Sequence, residues 1–275
     1  MSNIRIAMIG GGNMGRAIAS GLIDKGYDSS LIEIVEPDKE RSRALKETLN
    51  VTCHESFAQI TAQTDVVILA VKPQIMREVS EQLASSLSPS RDSVLIISIA
   101  AGISSDQLDT WLGGGLKIVR VMPNTPAMVG AGASALYANQ TVDAENRTVA
   151  EEILSAVGIT VWVDKESDID AVTALSGSGP AYFFLVLEAL EAEAVALGLE
   201  AETARQLAIQ TALGSAMLAG QSTHDPQELR RQVTSPGGTT ERAIEVLLAN
   251  ELPQAFSQAL QAAYQRAKEL GTQSN

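Results

Sequence analysis

Ile4-Arg5-Ile6-Ala7-Met8-Ile9-Gly10-Gly11-Gly12-Asn13-Met14-Gly15 is an apolar, strand-like run that feeds a glycine turn. Arg16-Ala17-Ile18-Ala19-Ser20-Gly21-Leu22-Ile23 continues as a helix. Gly10, Gly12 and Gly15 fit the pattern G-x-G-x-x-G. The first glycine permits a tight turn, the second lets backbone approach a pyrophosphate, and the third lets helix and strand pack closely. The N-terminus of the helix offers N–H groups without intrahelical partners to the phosphates. The bare pattern is weak. Here it has a strand before it, a helix after it and an acid at the end of the next strand, which is the context of a dinucleotide site rather than of an ordinary glycine turn.

Outward from that stretch, strand and helix patterns alternate. Leu31-Ile32-Glu33-Ile34-Val35 reads as the second strand, and Pro37 opens the next helix, through Leu49. Val66-Val67-Ile68-Leu69-Ala70 and Val94-Leu95-Ile96-Ile97-Ser98-Ile99 are continuous apolar runs, typical of parallel strands buried on both faces. A helix over 75–86 separates them. Lys117-Ile118-Val119-Arg120-Val121 is a further strand, followed by the loop Met122-Pro123-Asn124-Thr125-Pro126. Ala133 to Tyr137 and Ile159 to Val163 complete the series, with a helix at 143–156 between them. The alternation predicts an α/β fold, a Rossmann-type doubly wound parallel sheet, over residues 1–163.

After Asp164 the strand signal ends. Helices are expected near 166–175, 180–197, 201–220, 225–233, 240–249 and 252–270, an all-α domain over residues 164–275. The helix 180–197 carries Tyr182, Phe183, Phe184, Leu185, Val186, Leu187, Leu190, Val195 and Leu197. A helix apolar on nearly every side must be buried. A small helical domain alone does not cover two such helices, so a homodimer through this domain is expected.

Composition limits the partners. The chain has 275 residues, 45% of them apolar, and a formal net charge of −13. That acidity argues against nucleic acid and anionic membrane, which need clustered Lys and Arg. No continuous apolar run reaches the length of a membrane span, and no secretory leader is expected, so a cytoplasmic location is. Cys53 is alone and His54 and His224 are the two histidines. No disulfide framework or metal site is therefore expected.

Four stretches carry candidate chemistry. Glu36 follows the glycines by about twenty residues, where an acid accepts from a ribose 2′-OH and repels a 2′-phosphate. It leans the site towards NADH, and Glu36→Ser is expected to shift preference towards NADPH. Lys39, Arg41 and Arg43 read as a solvated helix face. Ala70-Val71-Lys72-Pro73 lies just past a buried strand, and Lys72 there either faces the cofactor or is an ordinary solvated lysine. Ala100, Ala101 and the proline-bounded Asn124 occupy equivalent strand ends. Ser176-Gly177-Ser178-Gly179-Pro180-Ala181-Tyr182 precedes the long helix, on which Glu188 and Glu191 are given no catalytic role. Val233-Thr234-Ser235-Pro236-Gly237-Gly238-Thr239-Thr240-Glu241 joins two helices. It is either a helix stop followed by an N-cap, the reading preferred from spacing alone, or a small anion site suited to a carboxylate.

Together these stretches resemble the pyrroline-5-carboxylate reductase family. Ile-Gly-Gly-Gly-Asn-Met at 9–14, Ala-Val-Lys-Pro at 70–73, Met-Pro-Asn-Thr-Pro at 122–126, Ser-Gly-Ser-Gly-Pro-Ala-Tyr at 176–182 and Val-Thr-Ser-Pro-Gly-Gly-Thr-Thr at 233–240 carry the resemblance. The last overrides the capping interpretation. The resemblance implies reduction of 1-pyrroline-5-carboxylate to L-proline by NADPH or NADH, the last step of proline biosynthesis, in a homodimer or a ring of dimers. It implies that Gly237, Gly238, Thr239, Thr240 and Ser178 bind the substrate, with the Thr240 hydroxyl at the ring nitrogen. Gly10, Gly11, Gly12, Asn13, Met14, Gly15, Glu36, Ala70, Val71, Lys72, Pro73, Ala100, Ala101 and Asn124 then line the cofactor. Many members place a small hydroxyl residue where Glu36 stands, which matches NADPH.

Two other functions fit parts of the pattern. A 3-hydroxyacid or 6-phosphogluconate type dehydrogenase shares the two-part architecture, but it needs a lysine after the sheet, and 176–198 holds none. A non-catalytic nucleotide sensor would keep the glycine turn without needing 233–240.

Overall fold

The computed structural model describes residues 4–57, 60, 63–87 and 93–273. It divides into two compact units, 1–178 with 263–275, and 179–262.

The first unit is built on one sheet. Its strands are β1 (Ile6–Ile9), β2 (Ile32–Val35), β3 (Thr52–His54), β4 (Val66–Leu69), β5 (Leu95–Ser98), β6 (Lys117–Met122), β7 (Gly132–Ala138) and β8 (Gly158–Trp162). Their order is β3-β2-β1-β4-β5-β6-β7-β8. The helices α1 (Asn13–Asp24), α2 (Lys39–Leu49), α3 (Pro73–Ser86), α4 (Ser105–Trp111), α5 (Ala144–Leu154) and α6 (Asp168–Val172) connect or flank them. The chain leaves β1 towards β2 on one side and returns to β4 on the other. That reversal opens a crevice at the carboxyl ends of β1 and β4, where doubly wound sheets take ligands.

The unbroken apolar strands are explained by two cores. Met8, Ile34, Ile68, Ile97 and Val119 pack with Ile18 and Leu22 of α1 and Ile153 of α5. Ala7, Ile9, Val67, Leu69, Ile96 and Ile118 point the other way, to Met76 and Leu83 of α3 and Leu108 of α4. Each large side chain so buried contributes about 1.5–3 kcal/mol relative to exposure.

The sheet departs from all-parallel at one place. β7 runs antiparallel to β6, and β8 is parallel to β7. The link from Met122 to Gly132 holds only the short 3₁₀ turn Thr125–Val129. A parallel return needs a crossover of a dozen residues or more, so this link forces a reversal. β3 and α4 were not expected. Cys53 lies in β3 and is buried. α4 has a capping box between Ser104 and Gln107, a start signal that the sequence does carry.

α6 runs into a π-helical turn, Thr173–Gly177. The second unit then contains α7 (Gly179–Ala196), α8 (Ala201–Gln221), α9 (Pro226–Gln232), α10 (Thr239–Ala249) and the first part of α11 (Leu252–Gln273). Glu191 of α7 holds Arg205 of α8 through both carboxylate oxygens, the shortest contact 2.8 Å. Its charge is therefore interhelical. The guanidinium lowers the Glu191 pKa by hydrogen bonding. Phe183, Phe184 and Leu185 are exposed on α7, as are Leu207, Leu213 and Met217 on α8. By length and composition the continuous helical stretch Asp168–Ala196 suffices to cross a membrane. No unbroken apolar run announced it, because Asp168, Asp170, Glu188, Glu191 and Glu193 punctuate the stretch.

Candidate active site

The glycine turn has the geometry its residues require. Gly10 has φ +103°, and a Cβ there would stand 2.7 Å from the Ala70 carbonyl oxygen. A Cβ at Gly15 would meet the Gly10 carbonyl oxygen, so α1 lies directly on the turn. Gly12 caps α1, and nothing lies within 4 Å of where its side chain would be. Gly12 is thus the open face of the turn. The first-turn N–H groups of Asn13 and Met14 lie beside it at the helix start, the arrangement that receives a pyrophosphate.

Glu36 does something its sequence position did not reveal. It is 3% exposed. Its Oε2 accepts from the Gly11 N–H and from Arg41 Nη1, both at 3.0 Å. Its Oε1 accepts from the Asp38 N–H at 2.9 Å. The carboxylate ties the turn after β1 to the start of α2. Arg41 is not simply part of a solvated helix face: its side chain is half exposed and its guanidinium is paired with Glu36.

A cavity of about 410 Å³ opens beside the turn. It brings together Gly10, Gly12, Glu36, Ala70, Val71 and Lys72 of the predicted cofactor residues. Arg41, Glu55, Phe57 and Ile75 also line it, and sequence reasoning had not assigned them to the site. Lys72 is exposed at the N-cap of α3, and Pro73 is the first residue of that helix. The residues fit the adenosine half of a dinucleotide: an open glycine, apolar walls for a base, and cations at the rim.

Ala100, Ala101 and Asn124 do not line this cavity. Ala100 is buried after β5. Asn124 acts as a clip. Its Nδ2 donates to the Ser176 carbonyl at 3.1 Å, and its Oδ1 accepts from the Ala133 N–H at 2.9 Å. Both ends of its amide are thereby committed to protein backbone. Ser178 closes the π-helical turn, its N–H donating to the Thr173 carbonyl.

The second glycine turn lies in the second unit. Gly237 has φ +71°, and Gly238 is the N-cap of α10. The Gly238 N–H donates to the Ser235 carbonyl at 3.0 Å. The Gly237 N–H, expected to face substrate, donates instead to Glu241 Oε2 at 2.7 Å. Glu241 is thus a capping acid drawn to the positive end of the helix. Thr239 and Thr240 are exposed in the first turn of α10. First-turn N–H groups have no intrahelical partner, so those of Thr239 and Thr240 remain for an anion.

Comparison with known proteins bears on these features. Residues 166–270 match the family described as pyrroline-5-carboxylate reductase dimerisation, and residues 5–102 match NADP oxidoreductase coenzyme F420-dependent. The pyrroline-5-carboxylate reductase of Pseudomonas aeruginosa is 48% identical over 273 residues, covering 99% of both chains. That of Haemophilus influenzae is 43% identical over 276 residues, again covering 99% of both. The solved pyrroline-5-carboxylate reductase of Coxiella burnetii superposes with a TM-score of 0.93 at 46% identity, covering 98% of this chain and 99% of the other. The Plasmodium falciparum pyrroline carboxylate reductase, solved with NADP bound, gives 0.87 at 32%, covering 98% and 99%. A glycine turn at the switch point of a doubly wound sheet, followed by a helical dimerisation segment, defines a nicotinamide-dependent oxidoreductase that self-associates. Within that class the chain belongs to the pyrroline-5-carboxylate reductase family.

Proposed function

We propose that this chain reduces 1-pyrroline-5-carboxylate to L-proline with NADPH or NADH. The observation that carries the reading is the pairing, in one chain, of an open glycine turn at Gly12 with an exposed Gly238-Thr239-Thr240 helix start. Residues 1–163 serve as the dinucleotide domain and 164–275 as the substrate and dimerisation domain.

The chemistry asks little of acids and bases. The bound reduced nicotinamide supplies a hydride to the carbon of the C=N bond. The substrate reacts best as the iminium, whose own positive charge draws the hydride. The N–H groups of Thr239 and Thr240 hold the substrate carboxylate, and the helix end favours that negative charge. The Thr240 hydroxyl accepts from the protonated ring nitrogen and holds that proton in place as the C=N bond becomes a C–N bond. Catalysis is then mostly proximity and orientation. The deciding assay is oxidation of NADPH or NADH on addition of pyrroline-5-carboxylate; no turnover with either cofactor refutes the proposal.

The exposed apolar face of α7 and α8 and the dimerisation family match support a homodimer through the helical domain; a ring of such dimers and a cytoplasmic location belong to the same proposal. Phe184, 64% exposed, tests this. Phe184→Asp places a charge that cannot be left unpaired in an apolar interface. Sedimentation velocity is expected to show a shift from oligomer towards monomer. An unchanged sedimentation coefficient would remove α7 from the interface.

A further inference from the structure

We infer that Arg41 is the receptor for the 2′-phosphate of NADPH, and that Glu36 sets the glycine turn rather than reading the ribose. The inference rests on the dinucleotide reading above and extends it to the choice of cofactor.

A carboxylate that selects NADH must present free acceptor oxygen to the ribose 2′-OH and uncompensated charge to a 2′-phosphate. Glu36 presents neither. Both of its oxygens already accept within the turn, from Gly11, Asp38 and Arg41. Its charge is met at 3.0 Å by the Arg41 guanidinium, and its side chain is 3% exposed. A nucleotide entering the cavity therefore meets Arg41, half exposed at the wall, before it meets the acid behind it.

Arg41 has donors to spare. A guanidinium carries five N–H groups in a fixed fork, suited to phosphate. One nitrogen, Nη1, bonds Glu36, and Nη2 is 3.7 Å from Asp38 Oδ2, an ion pair beyond hydrogen-bond length. The point where Arg41 leaves α2 is fixed, because its backbone N–H is held by the N-cap Asp38 at 2.9 Å, and the head is anchored by Nη1 on Glu36. The ionisable groups lining the cavity are Glu36, Glu55, Arg41 and Lys72, two acids and two bases. Glu36 and Arg41 offset each other, as do Glu55 and Lys72 in formal charge, so selection of the 2′-phosphate rests on the unused donors of the Arg41 fork.

Two consequences follow for substitutions. Glu36→Ser would not raise the preference for NADPH, as the sequence alone suggested; it would unfasten Gly11 and Asp38 and weaken both cofactors. Arg41→Ala would act chiefly on the cofactor that carries the 2′-phosphate, with a smaller loss common to both because Glu36 keeps its Gly11 and Asp38 donors but loses its cation.

The test uses isothermal titration of the whole protein with adenosine 2′,5′-bisphosphate and with 5′-AMP, which differ only in the 2′-phosphate. Wild type is expected to bind the bisphosphate more tightly. In Arg41→Ala its Kd is expected to rise about 10- to 100-fold, the range for a lost hydrogen-bonded ion pair, with a much smaller rise for 5′-AMP. Arg41→Lys should recover part of the loss, because a point charge replaces the fork. Equal loss for both nucleotides, or no loss for either, overturns the assignment of Arg41. A wild-type protein that binds neither of these, nor NADP nor NAD, overturns the dinucleotide reading itself.

Discussion

Gly10→Ala is expected to abolish measurable binding of either dinucleotide and to lower the melting temperature by several degrees. Two costs add at this position. Its φ of +103° lies where residues with a Cβ are strained, at about 1–3 kcal/mol. The new methyl would stand 2.7 Å from the Ala70 carbonyl oxygen and 3.1 Å from Val71 Cγ1. The oxygen belongs to backbone at the end of β4 and cannot swing away. Overpacking of this kind adds about 1–3 kcal/mol more. The sum is a large part of a typical stability of about 5–15 kcal/mol. Partial relief comes only by moving the turn away from β4, which displaces Gly12 and the start of α1. Thermal melts with and without NADP check both halves: a variant that still gains stability from the nucleotide would show that the turn tolerates the methyl.

Thr240→Ala is expected to lower kcat/KM by about 10- to 100-fold, the range for one hydrogen bond to a charged group. The Kd for adenosine 2′,5′-bisphosphate should stay at its wild-type value. Thr240 is exposed in the first turn of α10 and belongs to a different compact unit from Gly12 and Glu36, so its removal leaves the nucleotide cavity intact. Alanine keeps the backbone N–H and favours the helix, so carboxylate binding and folding persist. Thr239→Ala is the control and should lose less, since only its N–H is assigned a role. A fall in nucleotide affinity with Thr240→Ala, or an unchanged kcat/KM, would remove the hydroxyl from the reaction.

Much of the first unit was legible because its signals are local. Val66 to Leu69 and Leu95 to Ile97 are short apolar runs without interruption, the length and composition typical of a strand buried on both faces. The glycine spacing marked the tight turn at Gly10 and the close helix packing at Gly15, and the Gly-Gly pair at 237–238 marked the break before α10, which begins at Thr239, one residue earlier than expected. The reversal at β7 depended on link length rather than on pattern, and β7 reads the same in either direction. Glu36 was visible as an acid at the right distance. Its donors, however, come from positions 11, 38 and 41, brought together by the turn, the cap and the first turn of α2. No period in sequence announces such a convergence. Asn124 was assigned to the cofactor, yet its amide partners lie at Ala133 and Ser176, across a reversal and a π-helical turn. Glu55 and Phe57 reach the cavity from the irregular stretch after β3, where apolar patterning has nothing to report.

The bare apolar side chains of α7 and α8 couple folding to mass action. Phe183, Leu185, Leu213 and Met217 are exposed in one protomer and gain little from folding it; in the proposed homodimer a second copy covers them. Part of the free energy that holds these helices is therefore collected only on association, and depends on how many copies are present. The melting temperature should climb with protein concentration. Dilution should loosen the helical unit while the sheet, whose two cores close within one chain, holds its structure.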